Sequence, residues 1–506
     1  MFSPFKNIEA FIGAILGFAI ILLFTQHSGL GISRDSIAYI SGADSFIQGK
    51  GFIEYDNVPL TLFPLGYPIL LGFLKFITHT AILSYGVYLN AFLFATIIFL
   101  LGCIIRQEVY PNIVLTITLI AVLVFATPLH EAYYMLWSES LFIFLELLFM
   151  ITLQRYSSEH KKRWLYLAIM MAAYAAITRF AGITFIATLG LFLLIDNVKN
   201  TTLIKRWLTI IICGLIAVIP LAVNLIRNYT ATLEPAGNRQ KGIYSLWDNL
   251  GFSGKVFCEW IYSATTNTTT CIAIGTTILI LLISYSIYII AKIIRHNKPI
   301  NYYEIATIFG TVYYLFILSI ATLSRFETIN NRLLSPLYIP LLLLLIHIGE
   351  RLINSELFSS LRKAKSIAIT IMFILLLSKA VLASVDFYKD SADSGIGGYT
   401  EDLWSQSETI KYVNDNINQY TGSTPVYSNS AHALYLYSGK HFALIPEKTH
   451  EQKIEKLFKL KQFYIIWFNE EGNSDILPVE AIQKNVELHQ IKELNDGIIY
   501  LAKSKE

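Results

Sequence analysis

Apolar runs about as long as a membrane is thick recur along the first 385 residues of this chain. A hydrocarbon core about 30 Å thick requires roughly 20 apolar residues for one helical crossing. Of the 506 residues, 54% are hydrophobic and only 15% are charged, whereas soluble domains carry about 25% charged residues. One soluble core cannot account for these runs, and the sequence predicts an α-helical polytopic membrane protein.

Apolar windows bounded by charged flanks predict about eleven membrane spans. We expect them at 8–25, 81–104, 112–128, 137–154, 164–178, 181–196, 206–226, 272–294, 303–322, 333–349 and 367–384. Lysine and arginine favour cytoplasmic loops. With a cytoplasmic N-terminus every predicted inner loop is basic, through residues such as Arg106, Lys161, Lys205, Lys298 and Arg362. The sequence therefore predicts a multi-pass protein of the inner (plasma) membrane whose C-terminal tail is extracytoplasmic.

The first predicted outer loop, 26–80, is too long for a simple connector, and long structured loops usually carry function. Its apolar residues recur at helical spacing among polar ones, which predicts an interfacial helix, and a second helix is expected after Pro64. The tail has short apolar runs and more charge. We therefore predict a membrane domain over 1–385, which includes this loop, and a small soluble extracytoplasmic α/β domain over 386–506.

The secondary structure predicted for the tail alternates between helices and strands, which suits a small α/β or α+β unit. Helices are expected at Glu408–Ile417 and Lys453–Leu460. Strands are expected at Pro425–Tyr427, Ala433–Tyr437 and Phe463–Phe468.

Composition also excludes some functions and leaves others open. The net charge is only +3 and no basic block is interleaved with aromatic residues, so a nucleic-acid surface is excluded. The four cysteines lack metal-ligand spacing, and a disulfide between Cys258 and Cys271 stays open. No cofactor is predicted with certainty. A divalent metal ion is left open, since no His/Asp ligand set has the spacing that would identify a metal site.

Charged residues beside the predicted spans are functional candidates, because ionisable groups at membrane depth cost free energy. Arginines at one membrane face can bind a lipid phosphate, and a carboxylate can accept a proton from a hydroxyl. The alternative is that these side chains snorkel to the interface or form structural ion pairs. The candidates for substrate binding are Arg34, Glu131, Glu139, Arg179, Arg239, Arg325 and Arg332.

The most specific pattern lies in the first outer loop. Asp35-Ser36-Ile37-Ala38-Tyr39 is followed by Gly49-Lys50-Gly51-Phe52 and then by Phe63-Pro64-Leu65-Gly66-Tyr67-Pro68. This arrangement resembles the first outer loop of the GT-C superfamily of membrane glycosyltransferases, particularly the branch similar to bacterial protein mannosyltransferases and aminoarabinose transferases. The resemblance implies a polyprenyl-phosphate sugar donor, Asp35 as the catalytic base that deprotonates an acceptor hydroxyl, and Tyr39 as a substrate-binding residue.

Two other segments extend the resemblance. Trp137–Phe142 resembles the Ser/Thr-Glu start of the fourth span in those enzymes, and Asn331–Pro340 resembles their late Arg-x-x-x-Pro segment. The chain departs from many relatives in having Arg34 and Ser36, not a second acid, beside Asp35, which weakens a metal site in this loop. It also lacks the Trp-Trp-Asp tripeptide of oligosaccharyltransferases, so the resemblance implies transfer of a single sugar, with inversion, to a lipid, glycan or protein acceptor.

Other interpretations stay open at this point. Asp35 and Glu139 can each serve as a helix N-cap. A flippase or transporter of lipid-linked glycans is an alternative from another class, although internal repeats typical of transporters are not evident. An O-antigen ligase or polymerase is a further alternative, for which the outer loop 227–271 would be the main feature.

Overall fold

The computed structural model describes residues 7–109, 111–196, 202–237, 240–263, 265–296, 298–325, 327–355, 359–469 and 475–505. Residue contacts divide the chain into two compact units. The first, which we call the helical unit, consists of Met1–Gln26, Thr61–Leu70 and Leu83–Asp390. The second, which we call the sheet unit, consists of His27–Leu60, Leu71–Ile82 and Ser391–Glu506. Most of the first loop thus belongs to the same unit as the C-terminal tail.

Sixteen α-helices within the described residues begin before the tail. They are α1 Ile8–Phe24, α2 Arg34–Ile47, α3 Gly66–Thr78, α4 Ile82–Val109, α5 Ile113–Val124, α6 Thr127–Tyr134, α7 Glu139–Glu159, α8 Lys162–Thr178, α9 Ile183–Ile195, α10 Leu203–Thr232, α11 Leu246–Ile261, α12 Thr268–His296, α13 Tyr302–Leu323, α14 Asn331–Leu334, α15 Tyr338–Asn354 and α16 Arg362–Ser394.

Seven helical segments within the described ranges are long and apolar enough to cross a membrane, and the bent pair α5 and α6 makes an eighth candidate. The chain is therefore a multi-pass membrane protein. A helix lies at each of the eleven predicted positions, but the count of eleven spans is not confirmed. The helices α1, α8 and α9 have only 17, 17 and 13 residues, whereas one crossing requires about 20.

Two glycines lie where the backbones of neighbouring helices approach closely. A Cβ atom on Gly182 would lie 2.2 Å from the Ala175 carbonyl, so glycine lets the chain turn tightly from α8 into α9. A Cβ atom on Gly254 would lie 1.8 Å from the Cys271 carbonyl, so glycine lets α11 pack directly on α12. Cys271 and the three other cysteines are free thiols, so the disulfide with Cys258 is not formed.

The tail forms a five-stranded mixed sheet with the order β2-β1-β3-β5-β4. Its strands are β1 Val426–Ser428, β2 Ala443–Leu444, β3 Gln462–Phe468, β4 Val486–Leu494 and β5 Gly497–Ser504, and its helices are α17 Asp402–Ser405, α18 Glu408–Asp415, α19 Ile417–Tyr420, α20 Ala431–Ser438, α21 Glu451–Phe458 and α22 Val479–Asn485. Strand β1 is parallel to β2 and β3, whereas β5 is antiparallel to β3 and β4. Buried Phe463, Ile465 and Ala502 form part of the core on one face of this sheet.

Four of the five elements predicted for the tail are confirmed by α18, α21, β1 and β3. The strand predicted at Ala433–Tyr437 is wrong, because these residues lie inside α20. The run Ala-Leu-Tyr-Leu-Tyr is too short for its apolar spacing to distinguish a strand from a buried helix. Gly439, with a φ of 65°, ends α20 in the left-handed conformation that favours glycine after a helix.

Candidate functional site

A buried ion-pair cluster lies in the helical unit at the start of α7. Glu139, the first residue of α7, is 0% exposed. Its carboxylate accepts hydrogen bonds from Arg179 and from Nε of Arg332, the latter at 2.5 Å. The N-cap of α7 is Ser138, so the interpretation of Glu139 as a helix N-cap is wrong.

Both arginines follow Glu139 in the sequence and lie at the boundaries of other helices. Arg179 is the C-cap of α8, where the backbone turns extended before Gly182. Arg332 is the second residue of α14, which Asn330 caps by accepting from the Leu333 amide. The Arg332 guanidinium also lies 4.3 Å from the centre of the Trp137 ring, which adds a cation–π contact.

The charges of this cluster determine what it can bind. Two arginines face the carboxylate of Glu139, and the carboxylate of the exposed Glu327 also pairs with Arg332 at 3.9 Å, so two carboxylates balance the two guanidinium groups. Both arginines are therefore partly neutralised, as expected for structural ion pairs. Their predicted role in binding a phosphate stays a prediction, as does contact of Glu139 with substrate.

A chain of hydrogen bonds lies beside this cluster. The Trp260 indole N–H donates to Oδ1 of Asn331 at 2.7 Å, and the Asn331 amide donates to Glu131 at 2.5 Å. Glu131 therefore contacts the residue that precedes Arg332 in the sequence. The amide group of Asn331 is fixed in one orientation by its two partners, which holds the indole ring of Trp260 in place.

Trp260 lines an apolar cavity of about 420 Å³ within the helical unit. The walls come from α5, α6, α11, α12, α15 and α16, and they include Phe257, Tyr338, Phe373 and Leu376. The volume falls in the range of about 300–1,000 Å³ that is usual for small-molecule sites. The cavity and the adjoining polar groups of Trp260 and Asn331 together form an amphipathic site, with the apolar part the larger.

Lys379 of α16 is a candidate that the sequence reasoning did not select. Its ammonium group donates to the backbone carbonyl of Glu259, and its neighbour Ala380 lines the cavity. The signal was present in the sequence, because Lys379 is a cation inside the predicted span 367–384.

Asp35 lies in the sheet unit, in the first turn of α2. The N-cap of α2 is Ser33, whose hydroxyl accepts from the Ser36 amide while the Ser36 hydroxyl accepts from the Ser33 amide. The interpretation of Asp35 as the N-cap is therefore wrong. The two predicted helices of the loop, α2 and α3, are both present, and Lys75 binds Asp44 at 2.6 Å between them.

Acidic residues of the same unit lie near Asp35. Burial, and then repulsion from the charges of Asp56 and Asp35, raises the pKa of Glu54 to about 8. The pKa of Asp56 is also raised, mainly by burial. At neutral pH the Glu54 side chain is therefore a neutral carboxylic acid that can donate a hydrogen bond, and the nearby charge of Asp35 favours this protonated form.

The segment after Glu54 packs on the tail through aromatic rings. The ring of Tyr55 lies 4.2 Å from the ring of His432, which also stacks on Tyr399 at 5.9 Å. Burial and the Arg34 charge lower the pKa of His432 to about 3, so this imidazole is neutral. His441 bonds the Tyr55 carbonyl at 2.7 Å. These contacts place Arg34 near α20 of the tail.

The remaining predicted residues are dispersed. Tyr39 is 2% exposed in α2. Arg325, exposed, donates to Oε1 of Gln240 at 2.7 Å, and Arg239 lies outside the described residues. Within the described ranges no group of three or more His, Cys, Asp or Glu side chains is arranged to hold a metal ion.

Comparisons with known proteins give the fold its name. No model of a protein family matches the sequence, and no curated protein matches it. Solved GT-C glycosyltransferases do match, across nearly the full chain. The chain therefore has the GT-C fold, as the first-loop resemblance implied.

Three of the solved structures that it resembles come from two proteins. The aminoarabinose transferase ArnT from Cupriavidus metallidurans in the apo state has a TM-score of 0.51 and 10% identity, covering 97% of this chain and 97% of that chain. The same protein bound to undecaprenyl phosphate has a TM-score of 0.50 and 10% identity, with coverages of 99% and 98%. A mutant of arabinofuranosyltransferase AftD from Mycobacteria has a TM-score of 0.51 and 8% identity, covering 99% of this chain but 41% of that chain.

Proposed function

We propose that this protein is an inverting glycosyltransferase that moves one sugar from a polyprenyl-phosphate donor to an acceptor hydroxyl at the extracytoplasmic face. The observation that carries the proposal is the apolar cavity of about 420 Å³ beside charged groups in a chain with the GT-C fold. An apolar cavity within a membrane protein suits a lipid chain. The match to a structure of ArnT bound to undecaprenyl phosphate supports the same class of ligand.

The proposed reaction is a single displacement. The acceptor oxygen attacks the anomeric carbon, the bond from that carbon to the phosphate oxygen breaks, and the lipid phosphate leaves with the bonding electrons. Asp35 takes the proton of the acceptor hydroxyl as general base. The N-terminus of α2 favours a negative charge at this position, because the backbone N–H groups of the first turn point toward it.

The leaving group determines which electrostatic contribution matters most. A lipid phosphate departs with two negative charges, so positive groups facing it stabilise the transition state. Arg34, Arg179, Arg239, Arg325 and Arg332 are the proposed sources of this charge, and Tyr39, Glu131 and Glu139 are the other proposed substrate-site residues.

Replacing Asp35 by Asn tests the proposed base. In membranes containing the full chain, D35N should lower sugar transfer by at least about 100-fold, while expression and undecaprenyl phosphate binding persist. The matched control is D44N, because Asp44 lies on the same helix but binds Lys75. Undiminished transfer by D35N would contradict the assignment of Asp35, and a failure of the wild-type protein to bind undecaprenyl phosphate would contradict the lipid donor.

A further inference from the structure

Lys379 lies where a positive charge is costly. It is half-buried in α16, and only 6% of the most apolar window of that helix is buried inside the protein, which leaves most of the window free to contact lipid. A charged side chain in a membrane span costs several kcal/mol or more unless a partner compensates it, and such residues are usually functional. The position of Lys379 therefore calls for an explanation beyond packing.

The hydrogen bond to α11 explains only part of this cost. The carbonyl of Glu259 belongs to the last turn of α11, where backbone carbonyls lack partners within the helix. Lys379 satisfies that carbonyl. A neutral donor would serve this purpose equally well, however, and would avoid placing a full charge in the membrane.

The place of Lys379 relative to the cavity suggests what the charge is for. Leu376 and Ala380, on either side of Lys379 in sequence, line the cavity, and so do Trp260 and Ile261, which follow Glu259. The hydrogen bond of Lys379 to the Glu259 carbonyl therefore joins α16 to α11 beside residues that line the apolar cavity. A ligand with an apolar chain and an anionic end would place these two parts against complementary surfaces.

The ammonium group also has hydrogen-bonding capacity to offer. It carries three N–H donors, and among the described residues the Glu259 carbonyl is the acceptor it uses. The Glu259 carboxylate is the acidic group whose charge acts on Lys379. An incoming phosphate would have to compete with that carboxylate, and it offers stronger acceptor oxygens and a larger negative charge.

We propose that Lys379 binds the phosphate of a polyprenyl-phosphate lipid whose chain occupies the apolar cavity. The proposal rests on the proposed function, since it assigns a binding residue to the lipid part of that donor and product. It adds a residue on the last long helix to the candidates, independently of Asp35 and of the Glu139 cluster.

The test uses the purified full-length protein in detergent and two substitutions of Lys379. K379Q keeps a donor for the Glu259 carbonyl but removes the charge, whereas K379R keeps the charge. K389Q is the matched control, because Lys389 lies on the same helix but is exposed and pairs with Asp386 at 3.6 Å. Equilibrium binding is measured for undecaprenyl phosphate, undecaprenol and phosphatidic acid.

We expect the wild-type protein, K379R and K389Q to prefer undecaprenyl phosphate over undecaprenol by at least about 10-fold, and K379Q to lose most of that preference. A role limited to capping α11 would leave the preference of K379Q unchanged, which would overturn the proposal. Binding of phosphatidic acid as tight as that of undecaprenyl phosphate would overturn the polyprenyl assignment. If the wild-type protein itself shows no preference, the proposed function fails, and this inference with it.

Lysine labelling of the wild-type protein gives a second measurement that does not depend on a folded variant. Undecaprenyl phosphate should protect Lys379 from an amine-reactive label, as read by peptide mass spectrometry, while Lys389 stays labelled. Undecaprenol should give less protection. Equal protection of Lys379 by the two lipids would overturn the proposal.

Discussion

At the scale of single residues, the carboxylate of Glu139 is stabilised by two arginines at once. Removing it leaves Arg179 and Arg332 buried without their counter-ion, which destabilises a protein by about 3–5 kcal/mol. We therefore expect E139A to lower the melting temperature sharply. The control is E159Q at the other end of α7, where surface pairs with Lys161 and Arg163 contribute about 1 kcal/mol or less. Equal melting of E139A and wild-type protein would contradict the structural role.

Glu54 should make stability depend on pH. Because its pKa rises from its ordinary range to about 8 in the folded state, the folded state keeps a proton that the unfolded state loses at lower pH. The stabilising contribution is complete below the unfolded pKa and is lost as pH rises through about 8. The melting temperature should fall less for E54Q than for wild-type protein between pH 5 and pH 8.5, and E451Q, at an exposed position, should behave as wild type. Parallel pH curves for E54Q and wild type would argue against a buried, protonated Glu54.

The sequence identified most of the charged residues singly but could not pair them. Glu139 and Arg332 were both candidates, yet they are separated by 193 positions, and their contact depends on how α7 and α14 pack. The same limit applies to the hydrogen bond between the side chains of Trp260 and Asn331, which lie 71 positions apart in the sequence. Lys379 was missed because one lysine does not stop an apolar run from being read as a span.

At the scale of elements, the N-terminus of α2 separates a structural role from a catalytic one. Ser33 caps the helix, and removal of such a cap costs about 1 kcal/mol. We expect S33A to increase amide hydrogen exchange in the first turn of α2. We also expect it to lower the rate of sugar transfer, because Asp35 is then held in a less ordered turn. D35N should leave the exchange of α2 unchanged, because the cap is intact. A large increase in exchange for D35N would mean that Asp35 maintains the helix itself.

Apolar windows bounded by charged flanks predicted a helix at each expected span, because segments of about 20 apolar residues leave few alternatives in a membrane. Short elements gave less information. Residues 433–437 were assigned to a strand, but they lie in α20, which packs in the sheet unit near α2. Asp35 was considered as the cap of α2, although Ser33 is the N-cap and forms a capping box with Ser36, the third residue of the helix. Local signals of this kind compete, and only the tertiary contacts decide between them.

At the scale of the whole molecule, the GT-C fold was predicted from short motifs and confirmed at only 10% sequence identity to ArnT. Fold alone does not determine a reaction. The central claim, that this chain transfers a sugar from a polyprenyl-phosphate donor, therefore needs a test of its own. The proposed substrate class rests on the apolar cavity, and the proposed chemistry rests on Asp35.

Mass spectrometry of envelope glycans tests this claim most directly. It compares cells with the wild-type gene, cells lacking it, and cells carrying only D35N or only D44N. We predict that one glycan species loses the mass of a single sugar in the deletion and D35N cells, while a polyprenyl-phosphate sugar accumulates, and that D44N cells match wild type. Identical glycan and lipid-linked sugar profiles in all four would contradict the account.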